Sequence, residues 1–358
     1  MNTKQLSLST LFLISSVAHA SNQKIGVLFS SYGDINSPSE AEGYLRAAIN
    51  DPDVAPIPGF LKGIAAEFAV RFGGEKAANE YRVIGGSHYR QSSREQAALV
   101  KTELKKRGLD AEVYTGFVFT FPFIKETMRQ IQDDGVTDLI VFNQGAQYSK
   151  VTQGINIREV KSYLKLHPEY KVNAKAVRSF SEDPRFRNLL EASIQQGINE
   201  NFSAVKSENL CLFLPAHGVP TYLPKNGDPA YQQMLNAYQD MKARFPNNLV
   251  FTGFQNHSEL GSQWTQPDSA AQAEFIAKQS ECSNILINGR ISFTVDNIET
   301  LFDEGVAQRK VIEETRPDAK VAVQRSFDSE QPFAEFMAQV TAEALQNIGD
   351  LETIASPL

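Results

Sequence analysis

Short apolar runs of strand length alternate along the chain with longer stretches that have helical periodicity. Strands are predicted at 24–30, 111–114, 138–142, 248–254 and 284–287, and a further one begins at Leu210. Helical patterns fall between and after these strands, at 60–72, at 93–107 and in a final helix at 332–348. Strands that alternate with helices are typical of parallel sheets, so the pattern predicts an α/β fold.

The alternation restarts at Leu210, which predicts two doubly wound halves joined near residues 165–205. A length of 358 residues also exceeds what one hydrophobic core usually supports. We therefore predict an N-terminal domain at 21–165 and a C-terminal domain at 166–330. The helix and tail at 331–358 are expected to pack against the first half.

One histidine stands at the end of a predicted strand. The apolar run 212–214 leads through Pro215 and Ala216 to His217, and the chain then breaks at Gly218 and Pro220. A buried parallel strand delivers a side chain in this way to the carboxyl edge of an α/β sheet, where ligands bind. The alternative is a core histidine that is hydrogen-bonded to the backbone.

A second apolar run, 284–287, leads to a helical segment that carries Glu299. Glu299 and Asp303 are four residues apart on one helix face, an arrangement in which carboxylate oxygens suit a hard divalent ion. Two other interpretations remain open. Asp296 and Glu299 have the spacing of a helix capping box, and the acidic face is equally consistent with simple solvation.

The first twenty residues have the pattern of a secretory signal peptide. Lys4 supplies a positive charge, 6–17 is a short apolar stretch, and Ala18-His19-Ala20 is a typical cleavage site. This segment is too short to span a bilayer, and no other segment is long enough. We expect an exported, periplasmic protein that begins at Ser21; the alternative is a buried N-terminal helix.

The charge and the cysteine content of the chain limit which partners and which redox chemistry are expected. The net charge of −7 argues against nucleic acid as the main partner. Two cysteines, Cys211 and Cys282, stand at or just before the starts of two predicted strands, and export permits a disulfide between them if the strands are neighbours. The alternative is two buried thiols. Two cysteines do not supply the four ligands of an iron–sulfur cluster, so none is expected.

Motifs along the whole predicted mature chain resemble the ferrochelatase family. Residues 213–220, followed by Gly227-Asp228-Pro229, are similar to its Ser-Ala-His-Ser-Leu-Pro and Gly-Asp-Pro signature. Residues 293–301 are similar to its Phe-Thr-Ser-Asp-His-Ile-Glu-Thr-Leu segment. Weaker matches occur in the same order as in the family, at 81–87, 147–149, 253–255 and Trp264 with 267–268.

The resemblance implies two Rossmann-like domains with a porphyrin cleft between them. His217 is expected to accept pyrrole protons or to bind the metal, Glu299 to assist across the cleft, and His217, Glu299 and Asp303 to be metal ligands. Residues expected to line the porphyrin cleft are Tyr32, Ser87, His88, Tyr114, Tyr148, Ser149 and Trp264. Fe²⁺ and protoporphyrin or haem enter as substrates, with no tightly bound cofactor.

The chain departs from the family pattern in several places: His88 replaces a proline, Asn297 a histidine and Ala307 an acidic residue, and Gly218-Val219 replaces Ser-Leu after His217. The preferred hypothesis is an exported chelatase that inserts a divalent metal into a tetrapyrrole or removes it. An exported haem or porphyrin carrier on the same scaffold is the alternative that His88 and Asn297 favour. A chelatase for another tetrapyrrole, such as a cobalt-inserting enzyme, is the third.

Overall fold

The computed structural model describes residues 23–55, 57–256 and 263–355, so the predicted signal peptide lies outside the described residues. The strands are β1 (Ile25–Ser31), β2 (Ala111–Phe117), β3 (Asp138–Asn143), β4 (Asn173–Val177), β5 (Leu210–His217), β6 (Leu249–Gln255), β7 (Asn284–Asn288), β8 (Lys320–Gln324) and β9 (Leu351–Ala355). The α-helices are α1 (Ala41–Asn50), α2 (Gly59–Ile84), α3 (Tyr89–Lys106), α4 (Ile124–Asp133), α5 (Gln153–Leu166), α6 (Pro184–Phe202), α7 (Tyr222–Lys225), α8 (Ala230–Arg244), α9 (Ser269–Ala277), α10 (Arg309–Thr315) and α11 (Gln331–Leu345). A π-helix spans Glu299–Gln308.

Two separate sheets form the framework, and this confirms the predicted α/β class. The first has the strand order β2-β1-β3-β4-β9, in which β1 to β4 are parallel and β9 pairs antiparallel with β4. The second has the order β6-β5-β7-β8 and is parallel throughout. In each sheet the first strand in the chain, β1 or β5, lies between two others, so the strand order reverses beside it, and ligands of such sheets generally bind outside the carboxyl ends of the strands at this point.

The strand sequences explain why these two strands are central. Residues 26–30 of β1 and 210–216 of β5 are all buried, as expected of strands covered by helices on both faces. Only the last residue of β5, His217, reaches the surface of the sheet edge. The fold therefore presents this histidine at the carboxyl edge, as the hydrophobic pattern predicts.

The two halves share contacts and a core. One cluster of buried apolar residues includes Phe29 and Phe142 from the first sheet and Leu212 and Leu286 from the second. Its members also include Phe333 of α11, which belongs to the C-terminal segment. Helices α6 and α11 supply much of the apolar surface that joins the sheets.

The sheet to which each strand belongs indicates where the first half of the chain ends. The predicted domain boundaries themselves stay a prediction. Strand β4, at residues 173–177, belongs to the first sheet, so the change between sheets falls later in the chain than residue 165. Helix α11 packs against the first half, where Gln331 Nε2 donates to Glu103 Oε1 of α3 over 2.8 Å. The following strand, β9, then completes the first sheet. The C-terminal segment thus returns to the first half.

A disulfide joins Cys211 and Cys282, whose Cα atoms are 5.2 Å apart, which confirms the predicted pairing. Cys211 is the second residue of β5, and Cys282 lies two residues before β7. Because β5 and β7 are hydrogen-bonded neighbours, the two sulfur atoms meet at the amino edge of the second sheet. This edge is opposite the one that carries His217. Among the described helices, none combines the length and hydropathy needed to cross a bilayer.

Candidate functional site

His217 lies at the carboxyl end of β5, between two aromatic rings. The ring centroids of Trp264 and Phe293 lie 6.1 and 6.5 Å from that of the imidazole, both in edge-to-face geometry. Nδ1 lies 2.6 Å from the carbonyl oxygen of Gly218. A carbonyl only accepts hydrogen bonds, so Nδ1 carries the proton and, in the neutral ring, the basic lone pair is on Nε2.

Glu299 is the first residue of the π-helix that follows β7. π-Helical turns are rare and frequently occur at functional sites. The turn before it is held by side chains of neighbouring residues. Asn297 Oδ1 accepts a hydrogen bond from the backbone N–H of Thr300 over 3.1 Å, while Asp296 Oδ1 accepts from the Thr300 hydroxyl over 2.9 Å. Asn297, rather than the predicted Asp296–Glu299 capping box, therefore caps the start of this segment.

The structure brings His217 and Glu299 together, with Nε2 of the histidine 3.9 Å from Oε1 of the glutamate. About two thirds of the His217 side chain and more than three quarters of the Glu299 side chain are shielded from solvent, since 33% and 22% remain exposed. Burial, together with the carboxylates of Asp34 and Asp303, raises the pKa of Glu299 to about 8. Glu299 is therefore mostly protonated at neutral pH.

Asp34 approaches this pair from the first half of the molecule. It lies in the loop after β1 and is 3% exposed. Its Oδ2 accepts a hydrogen bond from the backbone N–H of Ile298 over 3.1 Å, and its Oδ1 accepts from the hydroxyl of Tyr81. Burial raises its pKa to about 6, although these hydrogen bonds and one from Ser87 oppose the rise. The site therefore contains two buried carboxyl groups, one from each half.

Three of the predicted cleft residues lie in the first half near Asp34. Tyr32 directly follows β1 and packs on Phe119, with ring centroids 4.9 Å apart, and burial raises the pKa of its hydroxyl. Ser87 is buried and hydrogen-bonds to the carboxylate of Asp34. His88 is exposed at the residue before α3 and makes no side-chain capping hydrogen bond. Ser87 is thus a support for Asp34, and His88 is open to solvent.

Ser149 and Tyr148 tie the halves together. Ser149 Oγ donates to Asp228 Oδ2 over 2.9 Å, which links the loop after β3 to the loop before α8. The ring of Tyr148 lies beneath the guanidinium of Arg178, 4.2 Å from its centroid, and lines a cavity of about 240 Å³ beside α5 and β9. Ser149 therefore has a structural partner already, and Tyr148 lines a cavity whose other lining residues include Arg158 and Glu352.

Tyr114 is placed differently from what the resemblance implies. It lies in the middle of β2, in the core between the first sheet and α4, and its hydroxyl donates to Asp134 Oδ2 over 2.8 Å. Asp134 follows the carboxyl end of α4, which runs back towards the amino edge of the sheet. The hydroxyl thus extends towards the amino edge of the first sheet, so this placement gives no support to a cleft role.

Asp303 lies near Glu299, since its charge is among the causes that raise the Glu299 pKa. Within the described ranges, no three His, Cys, Asp or Glu side chains are grouped closely enough to hold a metal ion. His217 and Glu299 therefore form a pair of potential ligands, and the role of Asp303 as a third stays a prediction. Glu304 is fully buried against Gly289, and burial raises its pKa well above the usual range.

Sequence reasoning missed Asp34 and Phe293 as parts of the site. The sequence does indicate a possible site residue at Asp34. Asp34 stands three residues after the end of β1, and therefore at the carboxyl edge of a sheet, as His217 does. The sequence offers no comparable signal for its hydrogen bond to Ile298, 264 positions away. Phe293 belongs to the motif at 293–301, but the apolar side chain of a phenylalanine does not by itself indicate a functional site.

Related proteins cover most of the chain. A chloroplastic ferrochelatase-2 of Hordeum vulgare is 29% identical over 305 residues, which cover 82% of this chain and 62% of that protein. The chain therefore spans less than two thirds of the length of this plant relative. A ferrochelatase of Gloeobacter violaceus is 25% identical over 295 residues, which cover 81% of this chain and 88% of that protein.

Solved structures agree in fold. The structure of SirB from Bacillus subtilis with Fe³⁺ has a TM-score of 0.55 at 12% identity and covers 91% of this chain and 97% of its own. A multi-domain protein of Deinococcus radiodurans, described as structurally similar to chelatases, has a TM-score of 0.53 at 12% identity, with 92% of this chain and 57% of its own covered. At such identities the likeness concerns the fold alone. The family model described as ferrochelatase matches residues 24–345, and the chain belongs to the ferrochelatase family.

Proposed function

We propose that this protein is a metal–tetrapyrrole chelatase that exchanges Fe²⁺, or another divalent metal, with protoporphyrin in a cleft between its two halves. The observation that carries the proposal is the His217–Glu299 pair, with Nε2 and Oε1 3.9 Å apart at the carboxyl edge of the second sheet. Membership of the ferrochelatase family supports the same reaction class. His217 acts as proton acceptor or metal ligand, and Glu299 assists it.

Proton transfer is the chemistry that such a pair performs. Insertion of a divalent ion requires two pyrrole N–H protons to leave the macrocycle. The bond from Nδ1 of His217 to the Gly218 carbonyl leaves Nε2 as the acceptor for one of these protons. Glu299, with a pKa near 8, exchanges a proton close to neutral pH, and its ionised form accepts the other pyrrole proton. A protonated imidazole beside it lowers that pKa, so the two groups are able to pass a proton between them.

The same separation suits a metal ion held for transfer. In protein sites, bonds from zinc to imidazole nitrogen and to carboxylate oxygen are each about 2.0–2.2 Å long. A single ion therefore bridges two donor atoms about 4 Å apart when the angle at the metal is wide. His217 Nε2 and Glu299 Oε1 are spaced within that reach. His217 and Glu299 by themselves would hold a metal weakly, as delivery to a porphyrin requires.

The test is an anaerobic absorbance assay on residues 21–358. Protoporphyrin IX is mixed with Fe²⁺ or Zn²⁺, and haem is mixed separately with a reductant, so that both directions are observed. We expect turnover in one direction, reduced about 10²- to 10⁴-fold in His217→Ala because a general base is lost. Porphyrin binding, measured by fluorescence quenching, should be largely unchanged. His167→Ala is the matched control, since His167 follows α5 and pairs with Glu169.

Three results would contradict the proposal. A stoichiometric spectral shift of haem without turnover would indicate the carrier alternative, and its dependence on His88 would identify an axial ligand. Turnover that is equal in His217→Ala and wild type would exclude the assigned base. Activity confined to a reduced, carboxylate-rich tetrapyrrole would instead support a chelatase with another substrate.

We also propose that the protein works outside the cytoplasm. The apolar segment before Ala18-His19-Ala20 supports export, as does the disulfide between Cys211 and Cys282. Fractionation of expressing cells, followed by N-terminal sequencing of the mature protein, tests this. Mature protein that begins at Ser21 in the periplasmic fraction is the expected result, and an intact Met1 in the cytoplasmic fraction would contradict it.

A further inference from the structure

The carboxylate of Asp34 joins three segments that are distant in sequence. Its own loop follows β1, Tyr81 comes from the last turn of α2, and Ile298 directly precedes the π-helix. Oδ1 accepts from the Tyr81 hydroxyl and from the backbone N–H of Ile35, the latter over 2.8 Å. Oδ2 accepts from the backbone N–H of Ile298 over 3.1 Å. Both oxygen atoms are thus occupied by donors from different elements.

The bond to Ile298 acts on the residue beside Glu299. The backbone N–H groups at the start of a helix have no acceptor within the helix and need one from outside. The first half of the molecule supplies it here, since Asp34 lies beyond β1 and the π-helix follows β7. The side chain of Ile298 also packs beside the buried residues Ile35 and Tyr81. Ile298 therefore contacts the first half through both its backbone and its side chain.

We propose that Asp34 is a positioning residue whose carboxylate anchors the start of the π-helix to the first half and thereby sets the distance between Glu299 and His217. The catalytic consequence rests on the proposed function, whereas the anchoring itself does not. Hydrogen bonds from backbone N–H groups to a carboxylate are stronger than neutral ones. Residues that orient a ligating or catalytic side chain typically change activity about 10- to 100-fold when they are replaced.

Hydrogen exchange tests the anchoring without reference to activity. In Asp34→Ala, the amide of Ile298 loses its acceptor, so exchange should become faster in peptides that cover 294–301 while the strands β5 and β7 keep their protection. Asp34→Asn retains an acceptor oxygen and should show a smaller effect. Tyr81→Phe is the control, because it removes a donor to the same carboxylate but leaves the acceptor of Ile298 in place.

Steady-state kinetics then test the catalytic consequence. For Asp34→Ala we expect kcat for metal exchange to fall about 10- to 100-fold, with KM for the porphyrin nearly unchanged, and Asn should recover part of the loss. A general loss of folding would alter KM and exchange throughout the chain, and Asp34→Asn serves as the second variant if Asp34→Ala does not fold.

Three outcomes would overturn the inference. Unchanged exchange at 294–301 in Asp34→Ala would mean that Asp34 does not anchor the π-helix. Exchange that rises equally throughout the chain would indicate a general contribution to stability. A local rise in hydrogen exchange with unchanged kcat would mean that Asp34 anchors the π-helix but does not affect catalysis. If the wild type itself shows no turnover, the proposed function fails, and the exchange result alone decides whether Asp34 is the anchor.

Discussion

Gly85 and Gly86 follow α2 and bring Ser87 beside Asp34, so their backbone conformations bear directly on the site. Both have positive φ, +76° and +87°, which side chains other than glycine rarely adopt. They differ in their surroundings. A Cβ on Gly85 would meet open space, whereas a Cβ on Gly86 would lie 2.1 Å from the carbonyl oxygen of Asn36. Only the second glycine allows two backbone segments to approach each other.

Alanine at these two positions should therefore have unequal effects. We expect Gly85→Ala to lower the free energy of unfolding by about 1–2 kcal/mol, the cost of the left-handed conformation. Gly86→Ala should cost more, because the Asn36 backbone must also move. Urea unfolding of both variants gives the comparison, with Gly85→Ala as the matched control. Equal losses in the free energy of unfolding would mean that the close approach of the Asn36 backbone adds no cost to the Gly86→Ala substitution.

At the scale of elements, the disulfide and the site lie at opposite edges of the second sheet. Cys211 and Cys282 join the amino ends of β5 and β7, whereas His217 ends β5 at the carboxyl edge. The crosslink therefore contributes to stability without touching the residues that carry the proposed chemistry. The π-helix, in contrast, belongs to the site itself. Its first residue is Glu299, and the backbone N–H of Ile298 just before it is hydrogen-bonded to Asp34 of the first half.

Replacement of both cysteines by serine should separate stability from activity. The bond closes a loop over a sequence separation of 71 residues, for which chain entropy predicts a loss of about 4 kcal/mol in the free energy of unfolding. We expect kcat for metal exchange by the folded protein to stay close to that of the wild type. Thermal unfolding and the absorbance assay measure the two effects. A large fall in kcat at a temperature where the variant is folded would contradict this separation.

At the scale of the whole molecule, buried carboxyl groups from both halves converge near the site. Burial raises the pKa of Glu299 to about 8 and that of Asp34 to about 6. Each of these groups binds its proton more tightly in the folded than in the unfolded chain. Ionisation of the groups therefore opposes folding, and its cost appears as the pH rises from the unfolded pKa to the folded one.

Stability should accordingly depend on pH through Glu299. The pKa of this residue is 4.5 in an ordinary environment and about 8 in the fold, so the folded state holds an extra proton between these values. The free energy of unfolding of the wild type should fall, relative to Glu299→Gln, as the pH rises from about 5 to about 8. Urea titrations at a series of pH values measure this difference. A difference that is constant with pH would show that the Glu299 pKa is not raised.

The hydrophobic pattern predicts the alternation of strands and helices, the first strands of both sheets and the position of His217, because each depends on local sequence. Strand length and burial determine where β5 ends, and Gly218 and Pro220 prevent it from continuing. The cysteine pairing was also predictable once the two strands were taken as neighbours. Strands β4, β8 and β9 were not predicted from the pattern, and β9 reaches its partner β4 only through tertiary contact.

The sequence by itself therefore determined the α/β class, the histidine at a sheet edge and the resemblance to a family. Only the tertiary structure decided which residues meet. It places Glu299 3.9 Å from His217, directs the hydroxyl of Tyr114 towards the amino edge of the first sheet, and brings Asp34 to the residue before Glu299. The physical reason is that local periodicity reports burial along one element, whereas a site depends on how separate elements pack and on hydrogen bonds between residues more than 200 positions apart.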